Sequence, residues 1–237
     1  MQYMMMPLEL HSDGGLGATG ESFEQAARLL AEAEAASASH SHLPISFLYR
    51  HAIELFLKSM IVVVHRGLRI NYGPHPHTGP GFVAVDGKWK PLHRVHSLAT
   101  LLAHYIELTR RFGGLLDARC ATDWKNIPAE LLLGIAEIEK ADATSTYFRY
   151  PDGRSAAAEE AKSSWKPKTP EEILAQANAD GKPVKAFLVY QPDGETLIGS
   201  YQYDDAPLAD LIRVLADTAS ILSGAHTGLR VELAGGY

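Results

Sequence analysis

Three charged residues stand four apart in an otherwise apolar stretch. They are Arg50, Glu54 and Lys58 within Tyr49-Arg50-His51-Ala52-Ile53-Glu54-Leu55-Phe56-Leu57-Lys58-Ser59-Met60-Ile61. On an α-helix, at about 3.6 residues per turn, this spacing sets all three on one face. Burying an unpaired charge is expensive, so the three either pair with one another or line a cleft or a subunit seam. As an intrahelical ladder, each pair would add only ~0.2–0.5 kcal/mol. A buried ladder would also reach His96 or Arg149 and form a polar core.

Other residues could also carry chemistry. His96, beside His93 and Arg94, suits general acid–base work, because an unperturbed imidazole titrates at ~6.5. Its structural alternative is a polar residue hydrogen-bonding at a helix start. Arg149, before Tyr150-Pro151, either anchors a turn to Glu54 or faces a ligand phosphate. Arg69-Ile70-Asn71-Tyr72-Gly73-Pro74-His75 reads as part of a Gly/Pro loop by composition.

The remaining chemistry-bearing residues argue mostly by exclusion. The histidine pairs His40/His42, His75/His77 and His93/His96 have no cysteine at zinc spacing and no His-Glu-x-x-His helix, so no metal site is expected. Cys120 lacks a supporting His or Asn pattern for a catalytic thiol. No nucleophile elbow, phosphate-binding glycine loop or dinucleotide fingerprint is present, and no cofactor is expected. Gly14-Gly15-x-Gly17-x-x-Gly20 has no strand before it, so residues 1–20 read as a flexible N-terminal arm.

The elements that must position these residues are mainly helical. Glu21 to Ala38 is rich in helix formers, with Ala26, Leu29, Leu30 and Ala33 at helical spacing. A second helix spans about Ser46 to Val64, with Gly67 as its C-cap. A third runs from His96-Ser97 to about Phe112, and a fourth starts at Pro128. Hairpins are predicted near 82–90, turning at Asp86-Gly87, and near 185–203, turning at Gln191-Pro192-Asp193-Gly194. Residues 154–183 read as a lightly structured connection holding one short helix at Thr169-Pro170. Pro207 opens a last helix, Leu208 to Leu222, ending at Gly224. Residues 21–237 thus read as one helical domain with two hairpin insertions.

Bulk properties bound the function. The chain has 237 residues and a net charge of −6, which argues against sequence-independent grip on a nucleic-acid backbone. The single cysteine forbids an internal disulfide and fits a reducing compartment. The N-terminus lacks the pattern of a secretory signal, and no apolar run reaches the ~20 residues of a membrane span. A soluble cytoplasmic protein with no membrane partner is expected.

Taken together, Arg50-xxx-Glu54-xxx-Lys58 in the second helix, His96-Ser97-Leu98-xx-Leu101-Leu102 opening the third, and Arg149-Tyr150-Pro151 after the fourth resemble the HEPN superfamily of prokaryotic helical-bundle proteins. The resemblance covers roughly residues 22–153 and the final helix. It implies an antiparallel helical bundle, a homodimer, and a role in stress response, toxin–antitoxin systems or phage defence with RNA or a partner protein from the same operon. Many members of that family are metal-independent ribonucleases that use an Arg and a His separated by about four to six residues, a spacing that Arg69 and His75 match in this chain. The expectation for this chain is a non-catalytic HEPN-like bundle acting through interaction. The alternative is a ribonuclease with His96 or His75 as base and Arg50, Arg69 or Arg149 at the phosphate. A third reading is a small-ligand sensor with a pocket lined by Arg50, Tyr72, Trp89 and Arg149.

Overall fold

The apolar run around Arg50 is one long helix, α2 (His42–Leu68), buried along nearly all its length and around its circumference. A helix that is apolar all round belongs inside a domain, and the other helices cover this one. A computed structural model of the protein describes residues 6–33, 42–142, 145–149, 160, 162–180, 184–204 and 206–236. Within it, α1 (Leu16–Ala33) and α7 (Ala206–Ala234) lie along α2 and touch each other. Helix α3 (Leu98–Arg111) packs on a further side of α2, α4 (Gly113–Asp117) follows it, and α5 (Ala129–Asp142) packs on α7 and α3. Among the described residues the protein is mainly helical, with two small antiparallel sheets.

The β-branched run Ile61 to Val64 is helical and buried. Strand propensity is a weak prior, and core packing overrides it here. Gly67 is not the cap of α2. The helix continues to Leu68, and Arg69 takes the left-handed conformation (φ 58°) at its end. Gly67 is small because α7 passes close by: a Cβ there would lie 2.8 Å from Leu233 Cβ. Gly224 does not stop the last helix either. Helix α7 runs on to Ala234 and ends at Gly235 and Gly236, both at positive φ. A helical glycine costs only about 1 kcal/mol, and burial of Leu222, His226 and Leu229 on this helix outweighs it.

The glycine-rich start has a definite form over residues 6–20. Leu8–Leu10 make a 3-10 turn, and Gly14 and Gly15 reverse the chain at φ 71° and 84°. Helix α1 then begins at Leu16. Gly17 and Gly20 are buried against the rest of the bundle: a Cβ on Gly20 would lie 3.0 Å from the Phe56 ring. The small face Gly17, Ala18, Gly20 and Ala27 is therefore the one that α1 buries. Ala26, Leu29 and Leu30, predicted on the core side, are exposed. Residues 34–38, the predicted end of this helix, lie outside the described residues, as does His40.

Strands β1 (Phe82–Val85) and β2 (Lys88–Pro91) form the first hairpin, with Phe82 opposite Pro91 and Val85 opposite Lys88. The turn uses Asp86 at φ 51° and Gly87 at φ 73°, as a twisted two-residue hairpin requires. Strand β3 (Trp165–Pro167), which the sequence did not signal, pairs with β5 (Leu197–Tyr203), and β5 pairs with β4 (Ala186–Tyr190). Helix α6 (Pro170–Asp180) lies between β3 and β4 in the chain. A reciprocal cap starts it: Thr169 N donates to Glu172 Oε2 at 2.8 Å, and Glu172 N donates to Thr169 Oγ1 at 3.2 Å.

Candidate functional site

The charged stripe of α2 is a buried network. Glu54 Oε1 accepts from Lys58 Nζ at 2.7 Å, and Glu54 Oε2 accepts from Arg50 Nη1 at 3.2 Å. Helical spacing alone makes these two contacts. The third comes from the segment before α3, where His96 Nδ1 lies 3.0 Å from Glu54 Oε1. The position of His96 is fixed from both sides. Arg50 Nη2 donates to its carbonyl at 2.8 Å, and Ser97 caps α3 by accepting from Thr100 N at 3.1 Å. Glu139 of α5 braces the same helix start, accepting from Leu98 N at 2.5 Å.

Arg50 has a further partner that sequence reasoning missed. Its Nε lies 3.0 Å from Asp142 Oδ2, at the end of α5. This is a charge contact rather than an aligned hydrogen bond. Asp142 Oδ1 accepts from Thr146 N at 2.8 Å and Tyr147 N at 3.0 Å, so the carboxylate also ties the turn after α5. No local pattern marks Asp142, because its partner is distant in sequence. The side chains of Arg50, Glu54 and Asp142 are 2%, 1% and 1% exposed. With Lys58 they make two positive and two negative groups, which is how a buried cluster avoids a net charge. Burial by itself would raise the pKa of Glu54, but the Lys58 charge and the hydrogen bonds from Lys58 and His96 outweigh it and lower the value.

The ionised Glu54 carboxylate only accepts, so His96 Nδ1 carries the hydrogen. The other ring nitrogen, Nε2, has no protein partner among the described residues, and the side chain is 47% exposed. A carboxylate that orients an imidazole in this way is the arrangement a general base needs. The dyad opens on a cleft of about 330 Å³ whose polar lining includes His51, Lys58, Arg66, His93 and His96. Desolvation lowers the pKa of His51, although Glu54 pulls it up. The cations at this cleft are already engaged. Lys58 is on Glu54, and Arg66 donates to the carbonyls of Ser12 at 2.8 Å and Gly79 at 3.3 Å.

The other predicted site residues lie elsewhere. Arg149 is exposed and its guanidinium sits 5.1 Å above the Phe47 ring, with no bond to Glu54. Tyr150 and Pro151 lie outside the described residues. Arg69 is exposed at the end of α2, and His75 stacks on Phe82 with ring centroids 3.8 Å apart. Neither lines the cleft. The sensor pocket of Arg50, Tyr72, Trp89 and Arg149 is not assembled: Arg50 and Tyr72 are core residues, and Trp89 lines a different cavity. Among the described residues, no group of three or more His, Cys, Asp or Glu side chains could hold a metal ion. No helix among them is long and apolar enough to cross a membrane. Burial, aided by Glu232, pushes the Cys120 thiol up to about 11, which keeps it protonated and unreactive.

A second buried polar cluster joins α1, α2 and α7. Asp13 accepts from Gly15 N, Gly17 N and Ser59 Oγ at 2.9, 2.7 and 2.5 Å, and His226 Nε2 lies 3.6 Å away. Burial opposes ionisation of Asp13, but bonds from His226, Ser59 and Gly17 hold its carboxyl far below the usual carboxylate range. Serine, histidine and aspartate are the residue types of a hydrolase triad, but here the carboxylate sits in the middle. Ser59 donates to Asp13 instead of to an imidazole, so nothing activates it as a nucleophile. This cluster is a clasp. The sequence hid it because His226 falls beyond the predicted end of the last helix.

Comparison of the chain with family models, with curated proteins and with solved structures finds no match.

Proposed function

We propose that this protein is a HEPN-like helical bundle that works through interaction with a protein partner in a prokaryotic stress or defence module, and that it does not cleave RNA. The observation that carries this reading is the apolar surface of the β4–β5 hairpin. Phe187, Leu188, Tyr190, Leu197 and Ile198 are between 40% and 60% exposed on two short adjacent strands. These side chains stand on both faces of the two strands, and exposed aromatic and aliphatic groups of this kind are enriched at partner-binding surfaces. The first hairpin is the poorer surface, since it buries Val83 and turns Trp89 inward. The state of the cations supports the same reading. With His96 as base, the ribonuclease reading places Arg50 at the phosphate. Arg50 instead contacts Glu54, Asp142 and the His96 carbonyl.

The resemblance adds a homodimer and an operon-encoded partner to this reading. The test is a paired assay. RNA incubated with the purified protein in EDTA should stay intact. Co-purification of the protein product of an adjacent gene should succeed with wild type and fail with Ile198→Asp. Cleavage that disappears in a folded His96→Ala variant would establish the alternative instead. The specific observation behind that alternative is the Glu54–His96 contact, which leaves Nε2 facing the open side.

A further inference from the structure

The second sheet runs β3–β5–β4, so β5 is paired along both sides and β4 along one only. The hydrogen-bond pattern fixes which groups of β4 point outward. Tyr203 N donates to the Lys185 carbonyl at 2.8 Å at one end of the hairpin, and Gln191 N donates to the Thr196 carbonyl at 2.8 Å at the other. In an antiparallel pair, successive residues alternate between bonding across the pair and facing away from it. The irregularity at Val189/Tyr190 puts the extra residue, Ile198, on β5, so the alternation along β4 is unbroken. Phe187 and Val189 therefore turn their backbone groups toward β5. The N–H and C=O groups of Ala186, Leu188 and Tyr190 face the open side, where no strand lies among the described residues.

The two outer edges of this sheet are not alike. Strand β3 has three residues and carries Lys166 and Pro167, and a short, charged, proline-bearing strand is a poor template for another strand. Strand β4 is Ala186-Phe187-Leu188-Val189-Tyr190, with no charge and no proline, and all but Val189 are exposed. An apolar edge of this kind pairs readily with a further strand. Run antiparallel to itself, β4 is its own complement. With Leu188 opposite Leu188 of a second copy, Phe187 faces Val189 and Ala186 faces Tyr190. An aromatic ring then meets a β-branched side chain, and a small side chain meets a large one. The outward-facing residues fall opposite one another, so their N–H and C=O groups bond across the seam. Lys185, the charge next to the strand, falls opposite Gln191 and not opposite another lysine.

We infer that a second copy of this chain pairs its β4 antiparallel with this one, about a twofold axis at Leu188. The joined sheet runs β3–β5–β4–β4–β5–β3. The assembly is closed, because only the guarded β3 edges remain outside it. It gives the homodimer of the reading above an interface on the same hairpin, and it leaves Ile198 of β5 for the protein partner.

The test is the mass of the full chain in solution, followed by light scattering over a dilution series. Wild type should move from 25.8 kDa to twice that value as its concentration rises to about 0.1 mM. Leu188→Pro removes an outward N–H that the single chain does not use, which an edge strand tolerates. That variant should stay at 25.8 kDa with an unchanged far-ultraviolet circular dichroism spectrum. Leu188→Cys should form a disulfide-linked dimer on mild oxidation, since residues bonded across an antiparallel pair have Cα atoms ~5.5 Å apart. Ile198→Cys, one strand further from the axis, should not; Cys120 is present in both variants and cancels. If Leu188→Pro does not fold, the cross-linking comparison decides. A wild type that stays monomeric, a folded Leu188→Pro that still dimerises, or equal cross-linking at 188 and 198 would overturn the inference. Capture of the adjacent gene's product by a monomeric wild type would overturn it too, while leaving the reading above standing.

Discussion

Arg50 of α2 and Asp142 of α5 meet at 3.0 Å with almost no solvent on either side chain. This contact joins the central helix to the helix that carries the Asp142 turn, and so holds His96 and its Glu54 partner in place. Asp142→Ala should leave the buried cluster with one uncompensated positive charge and cost about 3–5 kcal/mol. Denaturant unfolding checks this. A loss below about 1 kcal/mol would show that Glu54 alone suffices for Arg50.

His96 differs from its partners because half of it is in water. His96→Ala should therefore change stability by less than about 1 kcal/mol, as for an exposed ion pair. Thermal unfolding of the variant, run beside Asp142→Ala, separates the exposed member of the network from the buried one.

Two glycines on buried and open helix faces should respond in opposite directions. A methyl group at Gly17 would collide with His226 and Asp13, so Gly17→Ala should destabilise by about 1–3 kcal/mol. Gly224 has open space around its Cβ position and a helical backbone, so Gly224→Ala should stabilise by about 0.5–1 kcal/mol. Chemical denaturation of both variants measures the pair.

Acid should weaken the fold through two buried imidazoles, His65 and His104. His65 and His104 bind protons at about 4 when folded and near 6.5 when unfolded. The unfolded chain therefore takes up more protons below pH 6.5. The stabilising contribution of the two neutral rings is complete above that value and is lost as pH falls toward 4. At about 1.36 kcal/mol per pH unit, each ring contributes about 3 kcal/mol. Unfolding free energies measured between pH 7.5 and 4 should fall less steeply in the folded double variant His65→Leu/His104→Leu than in wild type.

Local periodicity and turn chemistry were legible in the sequence. The helix around Arg50, Glu54 and Lys58, the Ser97 cap, the Asp86-Gly87 hairpin and the Thr169–Glu172 cap all follow from residues within a few positions of one another. So does the Arg50–Glu54–Lys58 ladder itself, because one helical turn brings those groups together. Tertiary structure alone decided that Arg50 pairs with Asp142, that Gly17 and Gly20 are packing positions, that β3 joins β5, and that His65 and His104 share a cavity. Each of these depends on contacts between segments far apart in sequence, whose formation is governed by the shape and burial of whole elements. Helix ends were misjudged for the same reason. Gly67 and Gly224 signal a stop locally, but the apolar surface that α2 and α7 bury against each other carries both helices through.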